Sequence, residues 1–309
     1  MRPILPLRRF TATLTACALM AIASAAHAQD IEPRAYANAP VGVNFLMVGY
    51  GYTRGGFPFD PALPVTNLSL ETNSALVAYT RVLDLWGKSG KIDFLVPYTF
   101  LSGSADFEGA SINRVVNGFA NPFVRASINF YGAPALSLKE FASYRQNLII
   151  GASMRVSLPA GQYDETRVVN LGTNRWSFRP EVGISKAVGA WTLELTAGAT
   201  LYSANKDFFR GITRLQDPIY SSESHAIYNF KRGLWASLDA TYFTGGRSTL
   251  DGVRSNNLQR NWRAGSTLAL PIDKHNSLRL YASRGVSALT GNNYDLIGIA
   301  WQYRWGGGL

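Results

Sequence analysis

The sequence predicts an all-β chain: a transmembrane antiparallel β-barrel of twelve strands, of the bacterial outer-membrane type. Three observations predict it. Large apolar residues alternate with small or polar ones over twelve segments, beginning near 42, 69, 91, 118, 145, 176, 191, 219, 234, 261, 277 and 295. Each runs for about the 9–11 residues that a tilted membrane-spanning strand needs. The links between them are alternately long and short, as in a barrel whose hairpins have one end outside the cell and one in the periplasm.

The chain starts with Arg2, Arg8 and Arg9, an apolar stretch "TLTACALMAIASAA", and "AHA" at 26–28. This pattern is that of a secretory signal peptide cut after Ala28. "LTAC" at 14–17 also fits a lipoprotein box, but the apolar run before Cys17 is short and a good cut site follows it. Cys17 is the one cysteine, so residues 29–309 hold no thiol, disulfide or cysteine metal site. Thirty basic and twenty acidic residues give a net charge of +10, and loss of the three signal arginines lowers it to +7. The basic residues are scattered, which argues against a nucleic-acid partner. No later segment has the 18 or more uncharged apolar residues of a spanning helix.

Residues 29–41, "QDIEPRAYANAPV", form an irregular lead-in, expected in the periplasm or folded into the barrel mouth. The barrel is expected over 42–309, without a domain boundary. In "KIDFLVPYTF" Ile92, Phe94, Val96, Tyr98 and Phe100 share a face, opposite Lys91, Asp93 and Thr99. "LIIGASMRVSL" sets Ile150 and Met154 against Ser153 and Arg155. "WTLELTAGATLY" sets Trp191, Leu193 and Leu195 against Glu194 and Thr196. "NWRAGSTLAL" sets Trp262 and Leu268 against Arg263 and Thr267. Long polar links are expected at 55–68, 103–117, 159–175, 203–218 and 245–260, and short ones at 86–90, 188–190, 231–233 and 271–276. Two links break the rule: 287–294 is short, and 131–144 is long. The latter contains Ser137-x-x-Glu140, which predicts a capped short helix at the periplasmic rim.

Alternating strands also suit a soluble β-protein with the apolar face inward. The membrane solution is favoured by a polar face rich in Gly, Ser, Thr and Ala, and by aromatic residues gathered at segment ends: Trp176, Trp191, Trp262, Trp305, Tyr50, Tyr52, Tyr98 and Phe100. Such rings prefer membrane–water interfaces, and strands in lipid must close to satisfy their backbone. The last segment, "IGIAWQYRW", then turns Ile297, Ile299, Trp301, Tyr303 and Trp305 to lipid, with Gln302 and Arg304 to the lumen. It resembles the C-terminal targeting signal read by the outer-membrane assembly machinery, although "GGGL" follows the final aromatic.

The chain resembles the outer-membrane family labelled "putative MetA-pathway of phenol degradation". The resemblance is carried by "EPRAYANAPVGVNF" (32–45), "LDLWGKSGKIDFLVPYTFLSGSA" (83–105), "GFANPFVRASINFYGAPAL" (118–136), "PAGQYDETRVVNLGTNRWSFRPEVG" (159–183) and "YFTGG" (242–246). The family often has Asp where this chain has Asn121. The resemblance implies a membrane barrel and uptake of aromatic compounds.

The mature chain has two histidines, and no His, Asp and Glu spacing reads as a metal site; no cofactor is expected. His225, in "SSESHAIYNF", raises a lipase-like alternative, but the Ser-rich stretch of outer-membrane phospholipases is missing, and His225 shares the lumen face with Glu223. Glu181 and Glu194 read as ordinary lumen carboxylates. Expected to face inward are Arg81, Lys91, Arg125, Arg155, Arg179, Arg263, Arg279 and Arg304, opposite Asp93, Glu181, Glu194, Glu223 and Asp239. From these come the candidate pore-lining residues Arg81, Arg125, Arg155, Arg179, Glu181, Glu194, Glu223, His225, Arg263 and Arg304. Charge on a pore wall sets ion preference; an inward excess of cations predicts a preference for anions. Twelve strands lie between filled and open barrels, so an open and a stoppered lumen both fit. Phe57, Phe59, Phe107, Phe208, Phe209 and Tyr163 are candidates for an aromatic mouth, or else loop packing. The expected activity is passive uptake of small, aromatic or hydrophobic solutes, with a lipase-like enzyme or a non-transporting structural barrel as alternatives.

Overall fold

A computed structural model describes residues 32–56, 65–107, 109–167, 169–231, 233–289 and 293–309. The signal segment and Phe57 and Phe59 lie outside the described residues. The strands are β1 (Val43–Gly56), β2 (Val65–Leu85), β3 (Lys88–Phe107), β4 (Ala110–Phe119), β5 (Phe123–Tyr131), β6 (Leu148–Ser157), β7 (Ser177–Val188), β8 (Trp191–Tyr202), β9 (Arg214–Gln216), β10 (Ile219–Lys231), β11 (Leu234–Gly245), β12 (Ser248–Leu250), β13 (Val253–Arg254), β14 (Gln259–Pro271), β15 (Asn276–Ala288) and β16 (Asn293–Gly306). Each wall strand runs antiparallel to its neighbours, and β1 pairs with both β2 and β16, which closes the barrel. The wall has twelve positions. One is shared by β5 on the periplasmic half of β3 and β4 on its extracellular half. The break between them is Ala120-Asn121-Pro122; Pro122 has no N–H to give a ladder.

The twelve wall positions coincide with the twelve alternating segments, and the faces follow the period of two. Met154, Leu193, Leu195, Trp262, Ile299 and Trp301 are exposed on the outside, while Ile149, Asp93, Glu194, Thr196, Arg263 and Thr267 are buried on the inside. In a soluble protein those faces would be exchanged. Outward rings form two belts. Trp191 with Tyr228, and Tyr79 with Phe94 and Trp305, lie near the short turns. Trp176 with Phe178, Tyr242 with Trp262, and Tyr98 with Phe100 and Phe119 lie toward the long loops. This is the spacing expected of amphipathic rings at two interfaces. The barrel is an outer-membrane barrel.

The 131–144 link carries a helix, α1 (Leu138–Phe141), with Ser137 and Glu140 forming the reciprocal capping box. The Ser137 hydroxyl and backbone N–H both donate to the Glu140 carboxylate, which holds its pKa below the usual value. The expected long loop at 103–117 is instead a strand extension: β3 continues to Phe107 and returns as β4, through Gly109 at φ +82°. Alternation in "ADFEGASINRVV" is too weak to reveal it. The links at 203–218 and 245–260 fold on one another through a three-stranded sheet of β9, β12 and β13.

Candidate functional site

The lumen contains the lead-in. Glu32 Oε1 and Oε2 accept hydrogen bonds from the Arg125 guanidinium at 2.7 and 2.5 Å, and Arg155 lies 3.4 Å from Oε2. Arg34 donates its backbone N–H to Glu194 at 2.7 Å and its guanidinium to Asn229, and sits 4.8 Å from the centre of the Trp235 ring. Tyr36 donates to Glu181 at 3.1 Å and bonds the Ser153 hydroxyl at 3.2 Å. The wall also holds the segment's backbone: Lys91 Nζ donates to Ala35 O at 2.9 Å and Asn129 Nδ2 to Tyr36 O at 3.0 Å. The periplasm and the barrel mouth are both open to this segment from sequence; residues 32–36 lie within the lumen, while Asn38 and Val41 bond Pro134 O and Leu136 O of the rim link. Pro33 and Pro40 prevent them from extending β1 as a strand, and side chains of both signs find partners on the wall.

Glycine makes the slot for Tyr36. Gly151 of β6 and Gly183 of β7 are paired across the sheet. A Cβ on Gly183 would stand 2.1 Å from Tyr36 Cε2, and one on Gly151 2.5 Å from Tyr36 Cδ1. The ring therefore rests flat on bare backbone. Burial pushes the Glu32 carboxyl up, but Arg125, Arg155 and Arg279 outweigh it and bring its pKa down to about 2. Burial lowers the Arg34 guanidinium to about 10, against the field of Glu194.

The inward residues read from sequence gather in three groups. Arg125 bridges Glu32 and Asp93, with Nε 2.8 Å from Asp93, and Arg155 lies beside it, its guanidinium 4.5 Å from the Phe123 ring centre. Arg179 joins Glu181, at 2.9 Å, to Glu223. His225 Nδ1 pairs with Asp239 at 2.8 Å, and Ser237 donates to the other Asp239 oxygen at 3.1 Å. Carboxylate thus stands between serine and imidazole, unlike a nucleophile aligned on the second ring nitrogen. Glu194 accepts from Ser185 as well as Arg34. Arg263 is buried, donating to Tyr294 O at 3.0 Å and Ser283 at 2.9 Å.

Two placements are corrected. Arg81 faces outward with Val77 and Tyr79, exposed near the periplasmic rim, 3.5 Å from Asn44. Polar residues fall on both faces of "LETNSALVAYTRVL", so alternation there does not fix the side. Arg304 keeps inward parity but belongs to the rim, where it donates to Lys274 O at 2.7 Å and pins the β14–β15 turn. Lys91 and Arg279 do face inward; Arg279 donates to Gln302 at 2.9 Å. Of the aromatic mouth candidates, Phe208 and Phe209 are buried, and the Tyr163 hydroxyl donates to Phe208 O and accepts from Asn205 at 3.0 Å. They pack the loops.

Sequence missed three lumenal features. Trp235 is buried inside, between Arg34 and Arg279. Tyr294 underlies Arg263 at 3.6 Å. Loop residues Val169 and Leu171 pack with Leu70, Leu101, Val116 and Ala120 into an apolar cluster. Parity within strands β11 and β16 points the first two inward. The loop cluster has no sequence periodicity to show it.

The family described as "Putative MetA-pathway of phenol degradation" matches residues 53–303. The chain belongs to this family. Among solved structures, it is similar to the COG4313 outer membrane channel from Pseudomonas putida F1, with a TM-score of 0.76 and 20% identity over 89% of this chain and 100% of that one. The β domain of the Bordetella autotransporter BrkA gives a TM-score of 0.49 at 11% identity, over 85% of this chain and 99% of that one. The toluene transporter TodX from Pseudomonas putida gives 0.44 at 11% identity, over 87% and 92%. At these identities the likeness is one of fold. No curated protein matches the chain.

Proposed function

We propose that the protein is an outer-membrane channel for passive uptake of small solutes that carry an aromatic or other apolar body. The observation that carries this reading is the make-up of the lumen: guanidinium groups laid against inward rings, Arg34 and Arg279 on Trp235 and Arg263 on Tyr294, around a lead-in held by side-chain contacts rather than by a backbone ladder. Such a lining offers a solute both apolar faces and N–H donors. The lead-in narrows the path, and its release opens it. The candidate pore-lining residues are Arg125, Arg155, Arg179, Glu181, Glu194, Glu223, His225 and Arg263. No catalytic role is assigned to them.

Among the described residues, inward cations of the wall (Lys91, Arg125, Arg155, Arg179, Arg263 and Arg279) exceed the five inward acids by one, while Arg34 and Glu32 cancel. A weak anion preference follows, since low dielectric strengthens each uncompensated charge. Reversal potentials across a salt gradient in a planar bilayer measure it, and cation preference overturns it. The transport reading is tested with a deletion strain and a panel of aromatic acids and hydrocarbons. Slower uptake of at least one class is expected; uptake and growth equal to the parent's for all of them would refute the proposal.

A further inference from the structure

On the lipid-facing side of the barrel, an apolar groove of about 740 Å³ runs over the outer faces of β10, β11, β14, β15 and β16. Short side chains line it, Ala226, Ala236, Ser266 and Ala282, beside the edge-to-face pair of Trp191 and Tyr228. The groove descends toward the periplasm. Its Tyr228 is three residues short of the end of β10 at Lys231, and its Leu268 three short of the end of β14 at Pro271. Below them stand Phe230 and Ile272, both exposed.

The two turns at this foot, 231–234 and 271–276, touch each other: a Cβ on Gly233, at φ +76°, would lie 2.9 Å from Pro271 Cβ. They carry Lys231 and Lys274, both exposed, and neither makes an ion pair among the described residues. Arg304 adds a third cation, fixed by its bond to Lys274 O. Asp273, the one acid in the two turns, is committed to its own turn, where it accepts from His275 N at 2.6 Å and Asn276 N at 2.7 Å. The foot of the groove is therefore positive. Toward the extracellular edge, by contrast, outward arginines are matched: Arg54 lies 3.3 Å from Glu71, and Arg284 3.0 Å from Asp295.

Lipid tails cover every outward face of a membrane barrel, so the groove alone selects no occupant. The charge at its foot does. Cationic side chains at headgroup depth attract anionic lipid phosphates, and the Trp191–Tyr228 pair marks the interface where chain meets headgroup. We propose that the groove and the two turns form a binding site for one anionic phospholipid of the periplasmic leaflet, with an acyl chain in the groove and the phosphate held by Lys231 and Lys274. A zwitterionic lipid brings the same phosphate with an ammonium of its own, which the two lysines repel, so the site favours a headgroup of net negative charge. It lies outside the wall and does not depend on whether the lumen conducts.

The test uses the mature barrel folded in detergent, with each variant checked by heat-modifiable migration. Phosphatidylglycerol or phosphatidylcholine with the same chains is titrated in, and bound lipid is counted by native mass spectrometry. The parent should hold one phosphatidylglycerol roughly 10-fold more tightly than phosphatidylcholine. Lys231→Gln with Lys274→Gln should erase that preference, and Ser266→Phe, which fills the groove, should weaken both lipids. Lys88→Gln with Lys139→Gln, on the opposite side of the periplasmic rim, should behave as the parent. Equal affinities in the parent, or a preference that survives loss of Lys231 and Lys274, overturns the site. An equal loss in the Lys88 and Lys139 variant overturns it in favour of diffuse rim charge, and unchanged binding in Ser266→Phe overturns the seat in the groove. Parent dimers that Ser266→Phe disperses would give the groove to a second copy and overturn it too.

Discussion

Glu32 and Arg125 meet through two hydrogen bonds, at 2.5 and 2.7 Å, and the Nε of the same guanidinium reaches Asp93 at 2.8 Å. One arginine therefore ties a carboxylate of the lead-in to one of the barrel wall. This fork is the strongest link holding the segment in the lumen.

The link sets a pH dependence. The Glu32 pKa is lowered from 4.5 to about 2, so the ion pair's contribution is fully present above about 4.5 and is lost as pH falls through about 2. Docking of the lead-in should be unchanged between about pH 7 and pH 5. Glu32→Gln removes the charge at every pH. It should raise open-channel noise and mean conductance in planar bilayers at neutral pH, with the heat-modifiable band unchanged. Parent-like conductance in that variant would mean that the fork does not hold the segment.

Arg125 and Arg155 differ in consequence although both face Glu32. Replacing Arg125 by Gln leaves Asp93 and Glu32 close together without the cation between them, and losing one partner of a buried ion pair costs about 3–5 kcal/mol. Arg155→Gln removes a longer contact, of 3.4 Å, to the same carboxylate and a ring stack, and should cost less than Arg125→Gln while reducing anion preference. Urea unfolding in vesicles separates the two, and reversal potentials give the selectivity.

A methyl group at Gly183 tests the Tyr36 slot without touching charge. The strand conformation tolerates alanine, but the added Cβ would fall 2.1 Å from Tyr36 Cε2. Tyr36 must leave, and its hydrogen bonds to Glu181 and Ser153 go with it. Gly183→Ala is expected to increase conductance as Glu32→Gln does, and the double variant should add little, since both act on one event. Full additivity of the two would separate the slot from the fork.

The wall was legible in the sequence because a barrel imposes one rule on every strand. Burial by lipid on one side and a polar lumen on the other gives a period of two, and β3, β6, β8 and β14 carry it over most of their length. Where the rule weakens, the reading weakens with it. β2 has polar residues on both faces, so parity does not place Arg81, which faces outward. The lead-in has no periodicity, since its contacts are with residues 91 to 235, far along the chain; nothing local in "EPRAYANAPV" shows that Tyr36 will lie on Gly151 and Gly183. Ser137 and Glu140 were readable because a capping box is local.

Asn121 offers a test of loop packing. It stands at the break between β4 and β5. Its Oδ1 accepts from Gly161 N at 3.2 Å and Thr173 N at 3.4 Å, and its Nδ2 donates to the Thr173 hydroxyl at 2.6 Å. These bonds clamp the two ends of loop 159–175, where Gly161 and Gly172 approach so closely that a Cβ on Gly161 would lie 2.8 Å from Gly172 Cα. Asp at this position keeps both accepted bonds, and the Thr173 hydroxyl can turn to donate to it. Asn121→Asp should therefore behave as the parent. Asn121→Ala loses all three bonds, each worth about 0.5–1.5 kcal/mol, and frees the loop to open. Trypsin cleavage after the exposed Arg167, followed on intact cells by gel, should be several-fold faster in Asn121→Ala and unchanged in Asn121→Asp. Equal rates in parent and Asn121→Ala would show that the clamp does not control the loop; fast cleavage in Asn121→Asp would show that donation to Thr173, rather than acceptance from the two backbone groups, is what holds it.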